Sequence, residues 1–138
     1  MVNYRYLEES IRRLQEQVIN YQTLNEDYPK NIHEAIADSV EWRFKFCYDA
    51  LWKILRKHII EELALPDVPN SPKPVFRIAN ENDLLDSAVE KWFKYVKARI
   101  DIYHDYIGEN TTARMQIIPD FVADAIVLYC KMSGKKWE

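Results

Sequence analysis

The placement of glycine and proline constrains this chain more than any other feature. The 138 residues include only two glycines, Gly108 and Gly134, and four of the six prolines lie between Pro66 and Pro74. Strands and hairpins need turn residues at each reversal. A chain this poor in them reads as all-α, with one proline-rich connector near its middle. The content is 48% apolar and 13% aromatic, which suits one globular domain over residues 1–138 that buries roughly two-thirds of its unfolded surface.

Apolar periodicity places the helices. Tyr4, Leu7, Ile11, Leu14, Val18 and Tyr21 recur in steps of three and four, with Glu8, Arg12, Gln15 and Glu16 on the other faces, the pattern of an amphipathic first helix. A polar break from Asn25 to Lys30 follows, and Asn31 with Glu34 three residues on predicts a capping box. The second helix is expected from about Ile32 to about Glu62. One stripe on it carries Ile36, Val40, Phe44, Cys47, Leu51, Ile54 and His58, and a second surface carries Trp42, Phe46, Ala50 and Trp52. A helix apolar on two sides packs on both, so Trp42, Phe46 and Trp52 point to core or to a homodimer interface. Ser71 before Pro72 marks a short helix to about Ala79. Asn82 or Asp83 would cap a third long helix from Leu84 to about His104, ended by Gly108. Thr111 or Thr112 would open the last helix, with Pro119 kinking or dividing it. These elements predict an antiparallel up-and-down four-helix bundle with a short extra helix in the connector between long helices two and three.

Charge and cysteine content narrow the classes. The net charge of -3 gives no bulk attraction for nucleic acid, so RNA contact would be local. Cys47 and Cys130 sit inside apolar helical patterns without C-x-x-C spacing and read as free buried thiols. The opening "MVNYRYLEES" has no apolar signal core, and no apolar run approaches the roughly 18 residues of a membrane span. A cytoplasmic protein without membrane contact is expected.

The stretch "RIDIYHDY", Arg99 to Tyr106, carries the chemistry. The third-helix stripe Leu85, Ala88, Trp92 and Val96 continues onto Arg99, and an arginine there needs an anionic partner or solvent, because an unpaired buried charge is costly. That partner is either an acid on a neighbouring helix or a ligand phosphate. His104 reads either as a functional group titrating near neutral pH or as a helix C-terminal residue favoured by the dipole. Lys91, Lys94 and Lys97 step by threes along one side, as a solvated face or an RNA guide. His33 and His58 lack the spacing to make a metal site with His104, so neither metal nor other cofactor is expected.

The segments "FCYDALWKILRKHIIEE", "SPKPVFRIA", "LLDSAVEKWFKYVKARIDIYHDY" and "ENTTA", in that order, resemble the nucleotidyltransferase substrate-binding proteins, a branch of the HEPN superfamily. The likeness is clearest from Glu41 to Ala113. The family signature of arginine, four residues, histidine, one residue, tyrosine maps onto Arg99, His104 and Tyr106. Where many HEPN chains have a polar residue after the arginine, this one has Ile100, with Asp101 next and Lys97 nearby as supporting groups. The resemblance implies a dimeric four-helix bundle encoded beside a minimal nucleotidyltransferase. It further implies a metal-independent endoribonuclease toxin, with Arg99 and His104 catalytic and Tyr106 the acceptor of AMP from the partner, which neutralises it.

The residues suit that chemistry in part. Metal-free RNA cleavage needs a base, an acid and positive charge on the phosphate. Histidine fills either of the first two roles, and a guanidinium grips phosphate through its fork. One His and one Arg are half a site, completed if a two-fold dimer brings two such pairs together. At about 100° per residue, Arg99 and His104 lie about 140° apart around an ideal helix. They converge through the reach of arginine, by the helix ending near His104, or across the dimer. Two functions follow: an RNA-cleaving toxin subunit, or a non-catalytic subunit that presents a nucleotide or other substrate to the nucleotidyltransferase.

Overall fold

The computed structural model describes residues 1–105 and 107–138. Among the described residues five helices follow one another: α1 (Arg5–Thr23), α2 (Lys30–Glu61), α3 (Pro72–Glu81), α4 (Val89–His104) and α5 (Thr111–Ser133). The four long ones form the bundle, and α3 bridges α2 and α4. Side-chain contacts fix their directions. Tyr4 meets His58 and the Arg13 carbonyl meets Arg43, so α1 and α2 run antiparallel. Asp105 meets Arg114 and Tyr95 meets Asp124, so α4 and α5 do too. None of the described helices is long and apolar enough to cross a membrane.

The 3.6-residue stripe explains what each helix buries. On α1 the buried residues are Leu7, Ile11, Leu14 and Val18. Between α2, α3, α4 and α5 the core is aromatic: Phe76 stacks on Trp92 at 5.2 Å, and Phe121 meets Phe44 edge-on at 4.9 Å and Tyr95 at 5.2 Å. Phe121 sits at the centre of this cluster and is fully buried. Truncating it to alanine would cost about 3–5 kcal/mol.

Two expectations need correction, and two left as alternatives are narrowed. The capping box at Asn31 and Glu34 does not form, because α2 starts at Lys30 with Pro29 in the cap position. Proline presets the required φ, and its carbonyl already accepts the amides of Ile32 and His33, so the first turn closes early. The third long helix starts at Val89 rather than Leu84. Asp83 adopts a left-handed conformation with φ 59°, and the Leu84 amide turns back to the Ala79 carbonyl at 3.0 Å. Leu84 is still buried, but from a turn. Pro119 does not divide the last helix, which runs unbroken from Thr111 to Ser133. Trp52 is buried, so the second apolar surface of α2 reduces to Trp42 and Phe46. Both cysteines are free, Cys47 buried and Cys130 partly exposed. Burial pushes the Cys47 thiol up to about 12.

Candidate functional site

The α4 stripe delivers Arg99 to the surface beside α2. Its guanidinium points toward Asp49 on α2, with Nε to Oδ1 and Nη2 to Oδ2 both at 3.4 Å. An acid on a neighbouring helix is therefore its partner within the protein, yet the contact is long for a charge-assisted pair, which is ordinarily about 2.7–2.9 Å. Side-chain exposure is 23% for Arg99 and 35% for Asp49. The pair is loose and reachable from solvent.

Beside it opens a cleft of about 620 Å³, within the range of small-ligand sites. Tyr48, Trp52 and Val96 form its apolar wall, and Arg99, Lys73 and His104 bring cationic or titratable groups to it. α4 ends at His104, which lets Arg99 and His104 face one cavity despite their angular separation on an ideal helix. The His104 ring lies edge-on to Tyr103 at 5.1 Å. Arg99 and Tyr103, one turn apart, also line a second cleft of about 370 Å³ on their other side, together with Trp42 and Lys45. Lys97 and Asp101 pair with each other at 2.8 Å on the exposed face and do not line either cleft. Lys91 pairs with Asp124 at 3.5 Å. Tyr106 lies outside the described residues.

A second charged constellation stands behind the site, and sequence reasoning missed it. Arg114 on α5 is buried and clamps the Glu41 carboxylate on α2 with Nε and Nη2. Its Nη2 also reaches Asp105 at 2.8 Å. Asp105 in turn accepts the amides of Glu109 and Asn110 at 3.0 Å each. The Asn110 amide, then the Arg114 guanidinium, hold the Asp105 carboxyl below the usual carboxylate range. This network closes the corner between α4 and α5, the corner onto which His104 leads. The available signal is the one that Arg99 gives: Glu41 sits between Val40 and Phe44 on the buried stripe, and Arg114 beside Met115 and Ile118.

The two arginines differ in kind. Arg114 is tight, enclosed and structural; Arg99 is loose and faces an open cleft. Among the described residues no group of three or more His, Cys, Asp or Glu is placed to hold a metal ion.

The fold is a helical bundle with a surface cleft in which an apolar wall meets a partly exposed arginine. The chain matches the family described as nucleotidyltransferase substrate binding protein like over residues 2–134, and it belongs to that family. Among solved structures it is similar to a protein from Thermus thermophilus, with 26% identity, TM-score 0.71, and coverage of 93% of this chain and 96% of that one. It is also similar in fold to HI0074 from Haemophilus influenzae, described as having the fold of a substrate binding domain of a nucleotidyltransferase. There the identity is 20%, the TM-score 0.85, and the coverage 95% of this chain and 99% of that one. A search of curated proteins finds no match.

Proposed function

We propose that this chain is the substrate-binding subunit of a nucleotidyltransferase module, holding a phosphate-bearing ligand for a separate nucleotidyltransferase and cleaving no bond itself. The observation that carries the reading is the state of Arg99. Its fork is aimed by Asp49 at 3.4 Å but not consumed by it, so an incoming phosphate competes for donors that are already oriented. Edges of the buried Tyr48, Trp52 and Val96 give the cleft an apolar floor, and His104 and Lys73 add donors at the rim.

RNA cleavage by Arg99 and His104 is less well supported. A general base is normally oriented by a second group, whereas His104 is exposed and packs edge-on against Tyr103. AMP transfer to Tyr106 remains a separate proposal, since a phenol of ordinary pKa about 10 needs a base from the partner to activate it. The test is a calorimetric titration of the chain with AMP, wild type against Arg99→Gln, beside incubation with RNA in EDTA. AMP binding weakened about 10- to 100-fold by the substitution, as expected for hydrogen bonds to a charged group, with RNA left intact, is the predicted result. RNA cleavage abolished by His104→Ala would instead establish the toxin reading.

A further inference from the structure

Beyond the ligand cleft, α1 and α2 leave an aromatic face uncovered. Tyr6, Trp42 and Phe46 are 61%, 59% and 43% exposed, and the Trp42 and Phe46 rings meet edge-on at 5.1 Å. Single exposed aromatics need no explanation, but three lining one shallow groove do. The groove, about 280 Å³, also contains Arg13, Arg43 and one carboxylate, Glu9, which pairs with Arg5 at 3.1 Å. Lys45 lies over the Trp42 ring at 4.2 Å. The Arg43 guanidinium is anchored by donating to the Arg13 carbonyl at 2.8 Å, which leaves its charge uncancelled. None of Arg13, Arg43 and Lys45 pairs with a carboxylate among the described residues. The chain as a whole is acidic, with net charge -3. With Glu9 matched by Arg5, Arg13, Arg43 and Lys45 leave a net positive rim around an aromatic centre, a local departure from the acidic whole.

Charge decides what can cover this face. A second copy docking through a two-fold axis would set the patch against itself, bringing two sets of Arg13, Arg43 and Lys45 together. Like charges facing one another across an interface work against that pairing, while opposite charges steer and stabilise it. Position narrows the occupant further. Trp42 lines both this groove and the smaller cleft that contains Arg99, so whatever sits on the face lies next to the ligand arginine.

We infer that this face docks the nucleotidyltransferase itself, through a segment of apolar side chains framed by carboxylates. The inference rests on the substrate-binding reading above, and it adds where the partner sits. Docking there places the partner beside Arg99, where a held substrate can be reached without leaving its site.

The test uses this chain and a nucleotidyltransferase from the same source, titrated against each other by calorimetry at low and high salt. Tyr6→Ala/Phe46→Ala and Arg13→Glu/Arg43→Glu are compared with wild type, since none of these four residues lines a cleft containing Arg99. We expect each variant to weaken the complex at least 10-fold, the wild-type affinity to fall with salt, and AMP binding by the isolated chain to be unchanged. Equal affinity for the variants, or no complex with the wild type, would overturn the inference. So would a wild-type dimer in sedimentation that both variants split, because the face would then belong to a second copy. A complex that depends on the patch although AMP does not bind would leave the docking face standing and remove the substrate reading alone.

Discussion

Replacing Arg114 with methionine separates the structural arginine from the functional one. The Arg114 and Glu41 side chains are only 4% and 11% exposed, and the guanidinium supplies two donors to that carboxylate. Methionine fills similar space but leaves Glu41 enclosed between helices without its cation. Breaking one side of a buried pair costs about 3–5 kcal/mol. With 138 residues and about 2.1 cal/mol/K of unfolding entropy per residue, the denaturation entropy is about 0.29 kcal/mol/K, so the melting temperature should fall by about 10–17 °C. Circular dichroism melts measure this directly. Adding Glu41→Gln should recover part of the loss, because the Glu41 site is then neutral, while Asp105 still lacks its cation and keeps two backbone donors. A fall of less than about 3 °C, corresponding to roughly 1 kcal/mol on the same scale, would refute the claim that this network holds the corner between α4 and α5.

Other consequences follow from the same geometry. Because the folded state holds the Asp105 carboxyl low, chiefly through the Asn110 amide and then Arg114, its contribution is fully present above the ordinary carboxylate range. That contribution is lost as pH falls through this range toward the lower folded value, and Asp105→Asn should flatten the acid limb of a stability-against-pH curve. His58, whose Nδ1 meets the Tyr4 hydroxyl at 2.7 Å, is held below the ordinary histidine value by burial. The unfolded chain therefore takes up its proton first, and stability should decline as pH falls below about 6.5, a decline that His58→Gln should reduce. Native protein treated with a thiol-specific chromogenic reagent should show one accessible thiol, Cys130, and one protected until unfolding, Cys47. Two equally fast thiols would contradict the burial of Cys47.

Much of the bundle is legible in the sequence because apolar side chains recur every three or four residues and every long helix buries one face. Leu7 to Val18 on α1 and Val40 to Leu51 on α2 follow that pattern and are buried. The start of α4 is not legible. Leu84 and Leu85 keep helical spacing to Ala88 and Trp92, while the left-handed turn at Asp83 depends on the return of the Leu84 amide to α3. Periodicity cannot report that contact. At the site, Arg99 and His104 are visible as polar residues where an apolar face ends. Asp49 is not, because its pairing with Arg99 spans 50 residues of sequence and nothing local marks it. Glu41 and Arg114 are 73 residues apart, yet each stands on a buried stripe and gives the same local signal as Arg99. Trp52 reads as core or interface because a helix apolar on two sides packs on both, and it is buried within the single chain, on a helix that α3 also contacts.

The central claim, that Arg99 holds a phosphate-bearing ligand in the cleft between α2 and α4, is tested most directly by nuclear magnetic resonance on isotopically labelled protein titrated with AMP. The account predicts that the Arg99 side-chain Nε–H resonance shifts as it exchanges Asp49 for phosphate. Amide shifts should accompany it in the Asp49–Trp52 turn of α2 and over Arg99–His104, and all of them should be absent in Arg99→Gln. Saturable shifts confined to another surface, with the Arg99 resonance unmoved, would contradict it.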